Sequence, residues 1–511
     1  MVNITWLAAL FFSVTLLLEF GVDSMKSQPG PGEIDASSSN PPPGNRKRIL
    51  LLVDKFLTHY NFAVNLANVL KLRGEYEVFF VVVKYDENEI KLKPLEGVHF
   101  IEVPFIDDPE YEEGFVRMPP GANWRPKPEF NEGGFSDCTD FISIIENPIF
   151  DWLKEKVEEN FFDLGIAEFC VMTGAFPIFE EIGLKKYIAT SAAKRFHAEP
   201  GQGLKEYGLQ TQNSNQNYLN ADYYKSSISE FIRLYNDREW SYSRLLLEKG
   251  KITENELDEI ENSFTENRIP KIGDLLRKSR YYLINVHPIG QYSVTENEEN
   301  QEDHLKRIVN IGGIENEMED FIKNNPQIIE HRQEDVPESS SQSGGYFPRN
   351  EEENKWIYKA KCVVLFSLGT AVKYEGFTEA HYKTLTKTFS KLSLSKIFSQ
   401  CKYLIRVTED FDLNKNFVDG VHSIGKNIRF YKGMIKQREI LEKAKVKLFV
   451  THGGQNSFNE ILKAGVPVIV IPFFGDQLFN ATIAEYLGIG LSIKPGDFVE
   501  KFQKTFNKIM E

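Results

Sequence analysis

The segment Leu448-Phe-Val-Thr-His-Gly-Gly-Gln-Asn-Ser-Phe-Asn-Glu-Ile-Leu-Lys-Ala-Gly465 decides the fold. An apolar run, two glycines and a stretch with helical spacing predict a strand, a tight turn at Gly453 and Gly454, and a helix that begins near Asn456. The first turn of a helix carries unpaired backbone N–H groups and the positive end of the helix dipole. Because glycine lets an oxygen approach the backbone closely, this junction predicts a binding site for a diphosphate.

Side chains around this junction complete the predicted site. Asn456 and Ser457 can donate hydrogen bonds at the start of the helix, and Glu460 lies one turn later on the same face, where it can accept from ribose hydroxyls. A second strand leads to Asp476 and Gln477, an acid and an amide that suit a polyhydroxyl sugar. Two further candidates follow the strand that begins near Val364 and approach the phosphates from the other side, namely Ser367 and Gly369.

Continuous apolar runs along the chain predict strands buried on both faces, with helical patterns between them. The predicted strands are Arg48–Val53, Val78–Val83, Asp163–Ala167, Tyr281–Val286, Cys362–Phe366, Tyr403–Val407, Lys447–Val450 and Pro467–Ile471, and the first helix is Asn61–Leu72. Strand, helix and strand in alternation indicate an α/β protein with parallel sheets. We therefore expect two Rossmann-like domains that face each other across a cleft at the carboxyl ends of their strands.

A chain of 511 residues has room for two such domains. The predicted organisation is a signal peptide at 1–24, a Pro/Gly/Ser linker at 25–45, an N-terminal domain at 46–315, an interdomain linker at 316–360 and a C-terminal domain at 361–511. The signal peptide predicts the secretory pathway, with an uncleaved N-terminal anchor, and hence membrane association, as the alternative. No later run is long and apolar enough to span a membrane.

Composition narrows the function classes. A formal net charge of −14 argues against binding to nucleic acid or to anionic membrane surfaces. The four cysteines are too scattered for a disulfide framework or a CxxC metal site, and a single bridge is left open. Asp410-Phe-Asp412 has the form of a metal-binding DxD, but we interpret it as an exposed acidic loop and expect no metal.

The segment from His452 to Glu460, followed by Asp476 and Gln477, resembles the signature of the UDP-glycosyltransferase family that includes the UDP-glucuronosyltransferases. The resemblance implies GT-B architecture, a UDP-sugar co-substrate and no cofactor. It places His452, Asn456 and Ser457 at the phosphates, and it adds Gln437 as a contact to the nucleoside. Met434 stands where the family usually has a tryptophan that stacks on uracil, so we expect weaker stacking or compensation by Tyr431.

Transfer of a sugar needs a base that takes the proton of the acceptor hydroxyl. His59 is the candidate, because it follows the first buried strand in a loop that opens onto the cleft and because Thr58 to Phe62 resembles the catalytic loop of the family. Glu168, where many members have Asp, is the candidate partner that orients the imidazole, and Asp163 is the fallback. These residues imply an inverting reaction on a small lipophilic acceptor, to which the aromatic segments Phe135–Phe150 and Phe161–Phe179 are suited. The signal peptide, together with the resemblance, implies the endoplasmic reticulum lumen as the location.

Two alternatives stay open. Family members usually continue for about a hundred residues past the Asp-Gln pair, with a returning helix, a membrane anchor and a tail, so we expect the C-terminal domain of this chain to be truncated. The chain is then either an enzyme or a non-catalytic homologue that only binds sugar nucleotides. A donor with another nucleotide, such as a dTDP-sugar, is the less favoured alternative for the donor site.

Overall fold

The computed structural model describes residues 46–54, 57–84, 92–104, 147–169, 175–192, 196–199, 203–206, 278–290, 307–314, 346–370, 376–393, 400–411, 420–473 and 476–510, with isolated residues between them. Several predicted features lie outside this part of the chain. They are the signal peptide, the linker at 25–45, much of the linker at 316–360, residues 135–146 of the first aromatic segment, and Asp412. Within it, the strands form two seven-stranded sheets and a separate antiparallel pair.

The first sheet is parallel throughout and has the order β3-β2-β1-β4-β5-β8-β9. Its strands are β1 (Lys47–Asp54), β2 (Tyr76–Lys84), β3 (His99–Pro104), β4 (Leu164–Glu168), β5 (Tyr187–Ser191), β8 (Tyr282–Ile284) and β9 (Ile308–Asn310), while β6 (Phe196–Glu199) and β7 (Gly203–Glu206) form the separate pair. The helices of this domain are α1 (Leu57–Leu72), α2 (Ile149–Glu158) and α3 (Ala175–Glu181).

Helices cover both faces of this sheet, which explains why its central strands are mostly apolar. Leu50 and Leu52 of β1 face the cluster that contains Phe176 and Phe179 of α3. The alternate residues of β1, such as Leu51, face the opposite cluster, which includes the apolar side of α1. Residues 49–53 of the strand are thus withdrawn from water on both faces, as expected for a parallel sheet between helical layers.

The second sheet has the order β12-β13-β11-β10-β14-β15-β16, with only β12 antiparallel to its neighbour. Its strands are β10 (Cys362–Ser367), β11 (Cys401–Val407), β12 (Val421–Ile424), β13 (Ile428–Lys432), β14 (Val446–Thr451), β15 (Val468–Val470) and β16 (Gly490–Ser492). The helices are α4 (Glu351–Tyr358), α5 (Glu379–Ser393), α6 (Gln437–Lys443), α7 (Gln455–Ala464), α8 (Asp476–Tyr486) and α9 (Phe498–Met510).

The predicted α/β class with two parallel sheets is confirmed, and all eight predicted strands are present with ends shifted by a few residues. The strands that were missed are β3, β5, β6, β7, β9, β12, β13 and β16, and several of them are edge strands with mixed polarity. The prediction that the aromatic residues of Phe161–Phe179 serve an acceptor site is wrong for most of them. Phe162, Phe169, Phe176 and Phe179 are buried in the core of the first domain.

Two features near the predicted linker belong to the second domain. Phe347 and Ile357, the latter on α4, pack into the same apolar cluster as β10 and α7, so the stretch 346–360 packs with the second sheet. Cys362 and Cys401 stand opposite each other on β10 and β11 and form a disulfide. None of the helices within the described ranges has the length and apolar character needed to span a bilayer.

Candidate active site at two switch points

Both sheets reverse their strand order at one position. In the first sheet the chain winds outward to β3 on one side of β1 and to β9 on the other side of β4, so the reversal lies between β1 and β4. In the second sheet the corresponding pair is β10 and β14. Loops diverge at the carboxyl ends of such pairs and leave a crevice, which is where α/β sheets bind ligands. The candidate residues fall at these two positions.

The first switch point holds a buried acid-base pair. His59 lies in the first turn of α1, and Glu168 is the last residue of β4. The two side chains are 7% and 8% exposed, and His59 Nδ1 is 2.7 Å from Glu168 Oε1. The prediction of a loop position for His59 is therefore wrong, because α1 begins at Leu57 rather than at Asn61. The helix nevertheless places the imidazole at the predicted edge of the sheet.

Glu168 is fixed from a second side, since the backbone N–H of Ala192 donates to the same carboxylate oxygen at 2.7 Å. A carboxylate on Nδ1 selects the imidazole tautomer that keeps a lone pair on Nε2, which is the form a general base requires. Asp163, the fallback, precedes β4 and accepts from the backbone N–H of Arg48 at 2.7 Å. It lies at the opposite end of the strand, as expected from its position in the sequence.

At the second switch point the turn after β14 depends on glycine. Gly453 has φ +86, and a Cβ there would lie 2.6 Å from Val470 Cγ1. A Cβ on Gly454 or on Gly369, which has φ +70, would lie 2.5 Å from the imidazole of His452. Only glycine meets both requirements, because it adopts a left-handed backbone without strain and has no Cβ that would clash. The imidazole is therefore held between the glycine loops that follow β10 and β14.

His452 is buried, and this burial lowers its pKa from 6.5 to about 4, with the charge of Arg406 as the smaller cause. The ring is therefore neutral near pH 7. Arg406 supplies the positive charge behind it. Its guanidinium donates to the backbone carbonyls of Gly369 and Gly433, the latter at 2.9 Å, and so ties together two of the loops that end at the site.

The first turn of α7 is partly satisfied from within the protein. The helix begins at Gln455, one residue before the predicted start, and Gly454 is its N-cap residue without a side-chain cap. The backbone N–H of Gln455 donates to Asp476 Oδ2 at 2.7 Å, so Asp476 braces the helix start. Gln477 is only 2% exposed, and its Oε1 accepts from the backbone N–H of Phe473 at 2.9 Å. Both side chains lie at the predicted edge, and both also hold its loops in place.

Three other predicted residues are in direct contact. Gln437 Nε2 donates to Ser457 Oγ at 2.9 Å and to Glu460 Oε2 at 2.7 Å. These contacts join the start of α6 to the exposed face of α7 at the predicted nucleoside and ribose positions. Met434 is 38% exposed next to them, with its sulfur 3.7 Å from Arg406 Nη2. Tyr431 is fully buried, so the expectation that it compensates for the missing tryptophan is wrong.

The structure also gives the burial and contacts of the other predicted residues. Ser367, 3% exposed, ends β10 beside Thr451 of β14. Asp410 of the DxD accepts from the backbone N–H of Tyr374 at 2.6 Å, which is a structural contact. In the part of the chain that the structure describes, no group of three or more His, Cys, Asp or Glu side chains has the arrangement of a metal site.

Asn480, in the sequence Asn480-Ala-Thr482, is buried, and its side-chain amide donates to the backbone carbonyl of Gly453 at 2.8 Å.

Arg406 and Asn285 are site residues that the sequence reasoning missed. Both are polar residues within runs predicted as buried strands, and both are at most 6% exposed. A polar side chain that interrupts such a run near its carboxyl end was the available signal. Asn285 Nδ2 donates to Asn456 Oδ1 at 2.8 Å, and this bond connects the two domains. The carboxyl ends of the two sheets therefore meet.

Comparison with solved structures agrees with this architecture. The chain aligns with UGT89C1 of Arabidopsis thaliana, solved in complex with UDP-L-rhamnose, at a TM-score of 0.51 and 13% identity, over 90% of this chain and 89% of that one. At this identity the likeness concerns the fold alone. Two α/β domains of this kind that meet at their switch points have the GT-B fold.

Sequence comparison gives the family. Residues 332–500 match the family model described as UDP-glucoronosyl and UDP-glucosyl transferase. The chain is 25% identical to ugt-55 of Caenorhabditis elegans, named as a UDP-glucuronosyltransferase, over 86% of this chain and 74% of that protein. It is 33% identical to anthocyanidin 3-O-glucosyltransferase of Gentiana triflora over 30% of this chain, which spans 32% of that relative. These matches support the UDP-glycosyltransferase family, and the family model itself covers residues 332–500.

Proposed function

We propose that this protein transfers a hexosyl or glucuronosyl group from a UDP-sugar to a hydroxyl of a small lipophilic acceptor, with inversion at the anomeric carbon. The observation that carries the proposal is the buried pair of His59 and Glu168, with 2.7 Å between Nδ1 and Oε1, at the switch point of the first sheet. Its supporting context is the diphosphate-type turn at the switch point of the second sheet.

In the proposed reaction, His59 Nε2 takes the proton of the acceptor hydroxyl while its oxygen attacks the anomeric carbon. The bond from that carbon to the β-phosphate oxygen breaks, and UDP leaves with the electron pair from the opposite face. Glu168 stabilises the imidazolium that forms, because its carboxylate already accepts from Nδ1. The N-terminal turn of α7 and the neutral His452 supply hydrogen bonds to the leaving diphosphate, and Arg406 supplies positive charge behind them.

Relatives support the choice of substrates. The Gentiana relative is named for anthocyanidin, an aromatic compound with hydroxyl groups, and the nematode relative for UDP-glucuronosyl transfer. A lumenal location in the secretory pathway is part of the same proposal. The disulfide between Cys362 and Cys401 supports it, because disulfides persist in oxidising compartments. Alkylation of the protein from cells before and after reduction tests this point, since two free thiols at these positions before reduction would argue for a reducing compartment.

The activity test combines a donor panel with a variant of the proposed base. UDP release is measured with several UDP-sugars, a dTDP-sugar and a phenolic acceptor, for the wild type and for His59→Ala. We expect acceptor-dependent release with a UDP-sugar, a loss of about 10²-fold to 10⁴-fold in His59→Ala, and unchanged affinity for UDP.

His99→Ala is the matched control. His99 also contacts a glutamate, with 3.0 Å between its Nε2 and Glu77 Oε1, but it is exposed and stands at the amino end of β3, away from the switch point. This variant should retain wild-type turnover. Background release by the wild type and His59→Ala alike, with UDP still bound, would instead support a non-catalytic binding protein.

A further inference from the structure

One buried side chain links the two switch points. Asn285, 1% exposed, follows β8 in the first domain. Its Nδ2 donates to the backbone carbonyl of Ala192 at 3.0 Å and to Oδ1 of Asn456 at 2.8 Å. Ala192 in turn donates its N–H to Glu168, the partner of His59. A continuous series of hydrogen bonds therefore runs from the proposed base to the helix that faces the diphosphate.

The direction of each bond is fixed by the backbone. The carbonyl of Ala192 can only accept, so Nδ2 of Asn285 must face it. On the other side, the N–H of His287 can only donate, so Oδ1 of Asn459 must face it at 3.2 Å. Asn459 Nδ2 then donates to Asn285 Oδ1 at 3.0 Å. With its oxygen occupied in this way, Asn285 offers only N–H groups to Asn456.

The orientation of Asn456 follows from this constraint. Its Oδ1 is turned to Asn285, which turns its Nδ2 donor away from the first domain. Asn456 is the second residue of α7, the helix whose N-terminal turn faces the proposed diphosphate position. A diphosphate accepts hydrogen bonds and donates none, so only the amide orientation that Asn285 selects allows this side chain to donate to it.

We propose that Asn285 is a positioning residue of the donor site, supplied by the opposite domain. It orients the Asn456 amide for a nucleoside diphosphate and, through Ala192, holds this amide in register with Glu168 and His59. The inference rests on the proposed function, since it assigns Asn285 a part in binding the same donor. Because the contact joins the domains, the donor site is complete only when they are docked on each other.

The isosteric change Asn285→Asp tests the orientation without leaving a cavity. The new carboxylate cannot donate, so it repels the carbonyl of Ala192 and accepts from Asn456, which must rotate its amide and present oxygen to the diphosphate. The affinity for UDP, measured by calorimetry on the full chain, should fall about ten-fold or more. Asn285→Ala should cause a smaller fall, because it only releases the side-chain amide of Asn456 from its contact.

Asn68→Asp is the matched control. Asn68 is a fully buried asparagine of the same domain whose Oδ1 accepts from the backbone N–H of Leu95 at 2.8 Å, away from the domain contact. Thermal unfolding followed by circular dichroism confirms that each variant is folded. Weaker UDP binding by Asn285→Asp, with wild-type affinity in Asn68→Asp, supports the proposal.

Equal affinity in Asn285→Asp and wild type, or equal losses in the two asparagine variants, overturns the role of Asn285 and leaves the proposed function intact. Failure of the wild type itself to bind UDP overturns the proposed function, and this inference falls with it.

Discussion

The two switch points use the same topology in different ways. At the first, between β1 and β4, two titratable side chains make the site, namely His59 and Glu168. At the second, between β10 and β14, glycine turns and the start of α7 make the site, and its imidazole is neutral at physiological pH. Under the proposed function, the first edge serves proton transfer and the second binds an anion. Substitutions should therefore damage different steps at each edge.

The largest effect is expected at the first switch point. Glu168→Gln keeps the shape of the side chain and removes the charge that stabilises the imidazolium of His59, so turnover should fall about 10²-fold to 10⁴-fold while KM for the UDP-sugar changes little. Steady-state kinetics with the donor varied measures this split. A rise in KM without a change in kcat would contradict the assignment of this edge to proton transfer.

Glu77→Gln is the control for that substitution. Glu77 also contacts a histidine of the first domain, His99, and it is partly exposed at the amino end of the sheet. The same chemical change there should leave both kinetic constants close to those of the wild type.

At the second switch point, replacing Gly453 with alanine should disrupt the turn after β14. Gly453→Ala combines a left-handed φ with a clash against Val470, so we expect a loss of about 3 kcal/mol or more in the free energy of unfolding, and little UDP binding. Urea unfolding and calorimetry measure the two effects.

Two other glycine positions distinguish the effect of the positive φ from the effect of the Cβ clash. Gly465 has φ +64 but nothing near its Cβ position, so Gly465→Ala should cost only about 1–2 kcal/mol. Gly496 has neither constraint, and Gly496→Ala should be close to neutral. If all three variants lost the same stability, the close approach of Gly453 to Val470 would not be what shapes the turn.

The smallest effect concerns pH. His452 has a pKa of about 4 when folded and 6.5 when unfolded, so the unfolded chain binds the additional proton between these values. The folded state is therefore unaffected at pH 7.5 and loses stability as pH falls below about 6.5, by about 2 kcal/mol at pH 5. His452→Asn should remove this part of the acid sensitivity.

Urea unfolding of both proteins at pH 7.5 and pH 5.0 checks the difference. His381, whose pKa is also lowered by burial, is present in both proteins and cancels from the comparison. Identical losses of stability in wild type and variant would mean that His452 takes up its proton in the folded protein as readily as in the unfolded chain. Water would then reach the second switch point more than its packing indicates.

Sequence reasoning predicted much of the second site, because that site is local. His452, Gly453, Gly454, Asn456, Ser457 and Glu460 follow one another within a single strand, turn and helix, so their spacing alone places them at one edge. The first site was harder. His59 and Glu168 are 109 positions apart, and their contact depends on β1 pairing with β4. The loop assigned to His59 and the compensating role given to Tyr431 were wrong because helix starts and ring burial are set by tertiary packing.

Patterns of adjacent residues therefore determined the α/β class, the strand–Gly–Gly–helix junction and the kinds of groups at each switch point, since backbone preference and hydrophobic period act over a few residues. Only the tertiary structure decided which distant groups touch. It brought Glu168 to His59, placed Arg406 behind His452 and turned Asn285 of one domain towards Asn456 of the other. Such contacts depend on strand order and domain docking, which sum many weak packing interactions along the whole chain.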